Sequence, residues 1–356
     1  MNEQRNLYLA IGISIAIIIF FQFLFPTQPI QTTSLEEDEV LEPATSIDGQ
    51  GNETISAIKS RDEALIETDR VIFSNSSIEG SINLKGAILD DLILSKYKTS
   101  LEPDSDNIQL LLPEGTSNPY YIETGWKELK DTEVELPNLE TIWKTNSTTL
   151  TPSNPVTLSW TNNQNITFKI NYTIDDEYMF SITQEIENKG NSNIEVFPYR
   201  LIKRINTPDT INFFILHEGF ISLINDELLE KNYDDIADDC NSSMPSKKEF
   251  CDNKAQGGWL GFTDKYWMSA LIPDADQSIN VNYRYGNNGR DSYRAGYVGQ
   301  IYKVSSGESL EYGGKLFVGA KKLNVLSAYN EKLSIPRFTD ALYIGEIRII
   351  DNFKLY

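Results

Sequence analysis

The chain has 356 residues and a formal net charge of −21 at neutral pH. So acidic a protein repels phosphate backbones, which argues against a nucleic-acid partner. Its 40% hydrophobic and 11% aromatic content calls for a packed core and excludes a wholly disordered chain.

Leu7 to Phe25 runs for 19 residues without a charge, with Gln22 as its one amide. At ~1.5 Å rise per residue such a helix is close to 30 Å long, the thickness of a bilayer's hydrocarbon core. A cleaved signal peptide is the alternative, but its apolar core is shorter and ends at small residues. Here the run ends Phe23-Leu24-Phe25-Pro26, so residues 1–25 read as an uncleaved anchor in the lipid bilayer. Arg5 precedes the span, and no Lys or Arg follows it until Lys59. That bias keeps the N-terminus cytoplasmic and sends the rest of the chain outside.

Residues 26–69 are rich in acid, Thr, Gln and Pro and poor in aromatics, which reads as a disordered linker. Within it, Ile58 to Ile66 has the makings of a turn or two of helix. From Arg70 the pattern changes to period two. Ile166, Phe168, Ile170, Tyr172 and Ile174 alternate with polar residues, Asp175-Asp176-Glu177 turns the chain, and Tyr178, Phe180, Ile182 and Ile186 bring it back. That is the pattern of an antiparallel hairpin with one buried face. Further strands are expected near 194–204, 211–217, 259–272, 279–285, 293–304 and 309–318. With no βαβ rhythm, residues 70–318 predict a two-sheet antiparallel sandwich. Helical spacing appears at Leu323, Leu326, Tyr329 or Asn330, and Leu333, and Pro336 stops it, which places a short amphipathic helix in 319–338.

Cys240 and Cys251 close a short loop in a region placed outside the membrane. An oxidising compartment favours a disulfide there, with two free thiols as the alternative. Residue chemistry assigns no catalytic, cofactor-binding or metal-binding residue. His217 is the single histidine; beside Glu218 it is a candidate general base or a strand-end histidine held by local hydrogen bonds. The pairs Asp90-Asp91, Asp234-Asp235 and Asp238-Asp239 read as solvated loop acids, because neighbours on a strand point to opposite faces. Ser56-x-x-Lys59 is too short a motif to be specific. Trp259, Tyr266 and Trp267 are either a sugar-stacking platform or core and turn aromatics.

Several segments together resemble the first periplasmic domain of YidC-type membrane protein insertases, most closely those of alphaproteobacteria. They are Gln4-Arg5-Asn6-Leu7 with the span, Glu79–Tyr97, Asn118–Trp126, Leu316–Phe338, and above all Gly257–Asp274, with Gly257, Gly258, Trp259, Asp264, Lys265, Tyr266 and Trp267. The resemblance implies a β-supersandwich preceded by one transmembrane helix and followed by a short α-helix that leads toward the membrane. It also implies a bacterial inner-membrane location with most of the chain periplasmic, and nascent membrane proteins and the Sec translocon as partners. Five further spans with a hydrophilic groove are implied after Phe338. Residues 339–356 depart from that pattern, so a truncation or frameshift near Phe338 is expected, and with it a chain inactive by itself. The rival reading is a membrane-anchored periplasmic carbohydrate-binding module of mutarotase-like fold.

Overall fold

The computed structural model describes residues 58–102, 104–128, 134–210, 217–242 and 249–344, with the strand backbones 44–47, 53–56 and 347–348. The anchor expected at Leu7–Phe25 with Arg5, most of the linker, and most of the strand expected at 211–217 lie outside these residues. Among the described residues no helix is long and apolar enough to cross a membrane.

Two mostly antiparallel sheets form a sandwich. The larger runs, edge to edge, Asp252–Gln256, Ser278–Asn287, Asp291–Val298, Ile194–Ile205, Tyr120–Glu128, Ile88–Lys98, Ile78–Asn83, Arg70–Ser74 and Thr149–Leu150. The smaller runs Glu227–Lys231, Gly219–Ile224, Trp259–Thr263, Trp267–Pro273, Gly314–Ala320, Met179–Asn188, Ile166–Ile174, Val156–Thr161 and Lys144–Thr145.

Period-two patterning supplies the inner faces. In Ile166–Ile174 every second residue is buried, and Phe168 pairs with Ile186 and Tyr172 with Ile182 in the hairpin register. Ring pairs then join the two sheets: Phe73 meets Phe180 at 5.2 Å, Trp126 meets Phe168 at 5.2 Å and Phe220 meets Tyr283 at 5.7 Å. Edge-on contacts of this kind add to the area they bury. The core also holds a cation. Arg200 is fully buried; its Nε donates to Gln184 Oε1 at 3.1 Å and its Nη2 to the Ile182 carbonyl at 2.9 Å.

Several local expectations change. The segment 259–272 is a hairpin, turned at Asp264–Tyr266, rather than one strand. The turn of helix expected within Ile58–Ile66 is present, so order begins before residue 70. The helix α1, Arg61–Leu65, is closed by a Ser60–Glu63 capping box, and the Lys59 amide bonds the Gly115 carbonyl. The helix α2, Tyr233–Asp239, lies in the loop after Glu227–Lys231. The helix α3 spans Leu323–Lys332 and buries Val325, Leu326 and Tyr329, whereas Leu333 is exposed. Ser334 and Arg337 flank the stop at Pro336 with left-handed φ, so the helix cannot run on to 338. The chain instead folds back, and a 3-10 turn at Phe338–Leu342 buries Phe338 and Ala341.

Asp90 and Asp91 are not solvated loop acids. They lie in the strand Ile88–Lys98 with only 4% and 2% of their surface exposed. Ser81 pairs with Asp91 and Ile82 with Leu89, which leaves Asp90 as the extra residue of a β-bulge. The bulge turns both carboxylates to one side of the sheet, against the two-residue alternation. Arg70 holds Asp90, while Arg61 of α1 and Ser81 hold Asp91.

Candidate functional site

The residues of the Gly257–Trp267 motif bind segments of the domain to one another. Gly257 and Gly258 have φ of +62° and +86°, and a Cβ at Gly258 would stand 2.3 Å from the Leu223 carbonyl oxygen. Only glycine fits there. Trp259 is fully buried; its Nε1 donates to the Pro336 carbonyl and its ring meets Phe338. Asp264 accepts from Arg204 Nη1 at 2.7 Å. Lys265 sits over the Tyr266 ring, and Trp267 packs edge-on against Tyr97 at 4.9 Å. Trp259 is therefore core, apart from the half-exposed Tyr266 and Trp267, and the three make no common platform.

The other candidates are also tied down. His217 Nε2 bonds the Phe220 carbonyl at 2.8 Å, and burial holds its imidazole below the usual pKa. Burial likewise pulls the Lys321 ammonium down to about 8, with Asp264, Glu218 and Glu230 opposing the shift. Lys59 pairs with Glu67; the side chain of its sequence partner Ser56 lies outside the described residues. Among the described residues no cluster of three or more His, Cys, Asp or Glu could hold a metal.

A feature that sequence reading missed lies on the outer face of the larger sheet, where a groove of about 470 Å³ opens. The residues facing outward form a grid set by strand register. In one row Lys254, Asn280, Val298, Tyr199 and Gly125 are successive partners. In the next, Asn282, Gly296 and Leu201 form the floor, with Asp252 and Glu123 at its ends. Gly296 keeps that floor low, since a Cβ there would stand 2.7 Å from Leu201 Cβ. The third row is Arg284, Arg294, Lys203 and Tyr121, three cations side by side on adjacent strands.

Lys127 adds a further cation, its Nζ 5.1 Å from the centre of the Tyr199 ring. Five cations, Lys127, Lys203, Lys254, Arg284 and Arg294, thus lie around the carboxylates of Asp252 and Glu123, with Glu114 acting on Glu123 from one side. Asp252 is taken by Arg284, and burial pushes Glu123 up against the pull of Lys203 and Arg294. The sulfurs of Cys240 and Cys251 are bonded beside the groove, with Cα atoms 5.5 Å apart. The Cys251 carbonyl accepts from Arg284 Nη1 and the Cys240 carbonyl from the Tyr285 amide, so the bridge braces the strand that carries Arg284.

The YidC periplasmic domain model matches residues 70–353. The chain belongs to that family. The match continues past the Phe338 boundary expected from sequence, as far as residue 353. Relatives named as YidC membrane protein insertases include those of Beijerinckia indica, Pelagibacter ubique and Rickettsia bellii. They are 34%, 33% and 34% identical over 95%, 96% and 100% of this chain. The chain spans 58%, 59% and 62% of their respective lengths. Among solved structures, a galactose mutarotase related enzyme from Lactobacillus acidophilus covers 70% of this chain and 97% of its own, at 10% identity and a TM-score of 0.46. A likeness that distant bears on neither substrate nor activity.

Proposed function

We propose that this chain supplies the anchored periplasmic part of a YidC-type insertase, which helps nascent membrane proteins enter the bilayer alone or beside the Sec translocon. The observation that carries this reading is the family match over residues 70–353, with relatives named as insertases over nearly the whole chain. The uncharged run Leu7–Phe25 and the lone preceding cation Arg5 support an anchor with a cytoplasmic N-terminus. The β domain, a supersandwich in this reading, then stands in the periplasm of the inner membrane. The work is physical rather than covalent: a hydrated path lowers the cost of carrying polar flanks across an apolar core.

The test is a chimera in which this chain replaces the matching region of a full-length alphaproteobacterial relative, expressed in a strain depleted of its own insertase. The chimera is expected to restore growth, and the 356 residues alone are expected not to. Rescue by the chain alone, or a stable membrane-inserted chimera that fails to rescue, refutes the reading.

A further inference from the structure

We infer that the outer-face groove of the larger sheet binds a small oxyanion, a carboxylate or phosphate on a hydroxyl-bearing body, centred on Arg294. Arg284 and Arg294 stand directly opposite each other across an antiparallel pair, and Lys203 is the next partner in the same row. Like charges placed so destabilise a sheet unless something neutralises them. Asp252 answers Arg284. The Arg294 guanidinium makes no hydrogen bond or ion pair among the described residues and attracts Glu123 only from longer range, though it is half-buried and lines the groove. An anion there would take up its planar pair of donors, the strongest kind of hydrogen bond a side chain offers.

The rest of the groove suits what an oxyanion is attached to. Asn280 and Asn282 occupy successive outward positions beside Arg284 on one strand, and their amides both donate and accept, as a run of hydroxyls requires. Tyr199 lines the groove with Lys127 over its ring, and Gly296 leaves depth for the ligand. A volume near 470 Å³ holds a body of one or two sugar rings, or a glycerol phosphate headgroup. In a chain of net charge −21, a groove lined by clustered cations is an electrostatic address for an anion.

The full chain, purified in detergent, is titrated by calorimetry with inorganic phosphate, glucose 6-phosphate and glucuronate, and mixed with phosphatidylglycerol or phosphatidylcholine vesicles for flotation. Saturable binding that weakens as salt rises is expected, and Arg294→Gln is expected to weaken it about tenfold or more. Asn282→Ala should weaken glucose 6-phosphate but leave inorganic phosphate unchanged, and Lys169→Gln, on the other sheet, should change neither. Flotation with phosphatidylglycerol that depends on Arg294 identifies a lipid headgroup as the source; binding of the free anions alone identifies a soluble one. Should Arg294→Gln fail to fold by circular dichroism, Arg294→Lys takes its place, with a loss expected because lysine offers no planar pair of donors. Absence of saturable binding to every probe, or equal affinity in the folded arginine variants, overturns the inference.

Discussion

The indole N–H of Trp259 donates to the carbonyl of Pro336 across 3.0 Å, joining residues 77 positions apart. Phe338 then closes edge-on over the same ring, with centroids 5.4 Å apart. Helix α3 is fixed near its C-terminal end by Tyr329, whose hydroxyl donates to Asp175 Oδ2 and accepts the Tyr178 amide. The segment that leaves the sandwich is therefore packed back onto it rather than hanging from it. Trp259→Ala should cost about 3–5 kcal/mol through the cavity and the lost bond. Urea unfolding measures this, and hydrogen exchange at Phe338 should speed up with it. An unchanged unfolding midpoint would contradict the packing described.

Arg200 is a buried cation that forms no salt bridge among the described residues and is held by Gln184 and the carbonyls of Ile182 and Tyr312 in the opposite sheet. Arg200→Met keeps bulk but leaves those acceptors dry and unpaired, at a cost of about 2 kcal/mol or more. The variant should melt earlier than wild type. Equal stability would mean the two sheets do not depend on this bridge.

Burial outweighs the Arg70 guanidinium and pushes the Asp90 carboxyl up to about 6. An unfolded aspartate titrates near about 3.9. Between those values the native state holds a proton that the unfolded chain has released, so this group's contribution to stability falls as pH rises from about 4 to about 6. Asp90→Asn removes the titration. The stability gap between wild type and variant should change by about 2 kcal/mol across that window. Parallel curves would show that Asp90 titrates where an exposed aspartate does.

The Cys240–Cys251 bridge closes a short loop, with a sequence separation of 11. Restricting the unfolded chain that much stabilises the native state by about 3 kcal/mol in the loop-entropy model. A reducing agent, or Cys240→Ser with Cys251→Ser, should lower Tm by several degrees and loosen the edge strand Asp252–Gln256. A Tm indifferent to reduction would contradict the bracing role.

What was legible in the sequence is what local patterning encodes. The hairpin Ile166–Asn188 could be read residue by residue, because its partners are neighbours in the chain and one face is buried throughout. The cation row could not. Lys203, Arg284 and Arg294 come from three strands, and only topology and register bring them into line. Asp90 and Asp91 were misread because a single extra residue cancels the alternation rule, and a bulge leaves no mark in composition. The turn at Asp264–Tyr266 is hidden in the sequence because the aromatic and apolar residues around it are strand formers. The helix Leu323–Lys332 was found, but its buried face is rotated to Val325, since packing against Phe317 and Phe338 decides the face.

The most direct test of the account is insertion itself. The chimera described above is reconstituted in proteoliposomes, and protease protection of a newly synthesised membrane-protein reporter is measured. The account predicts protected reporter at a level comparable to that given by the intact relative. A folded, correctly oriented chimera that leaves the reporter fully digested would contradict it.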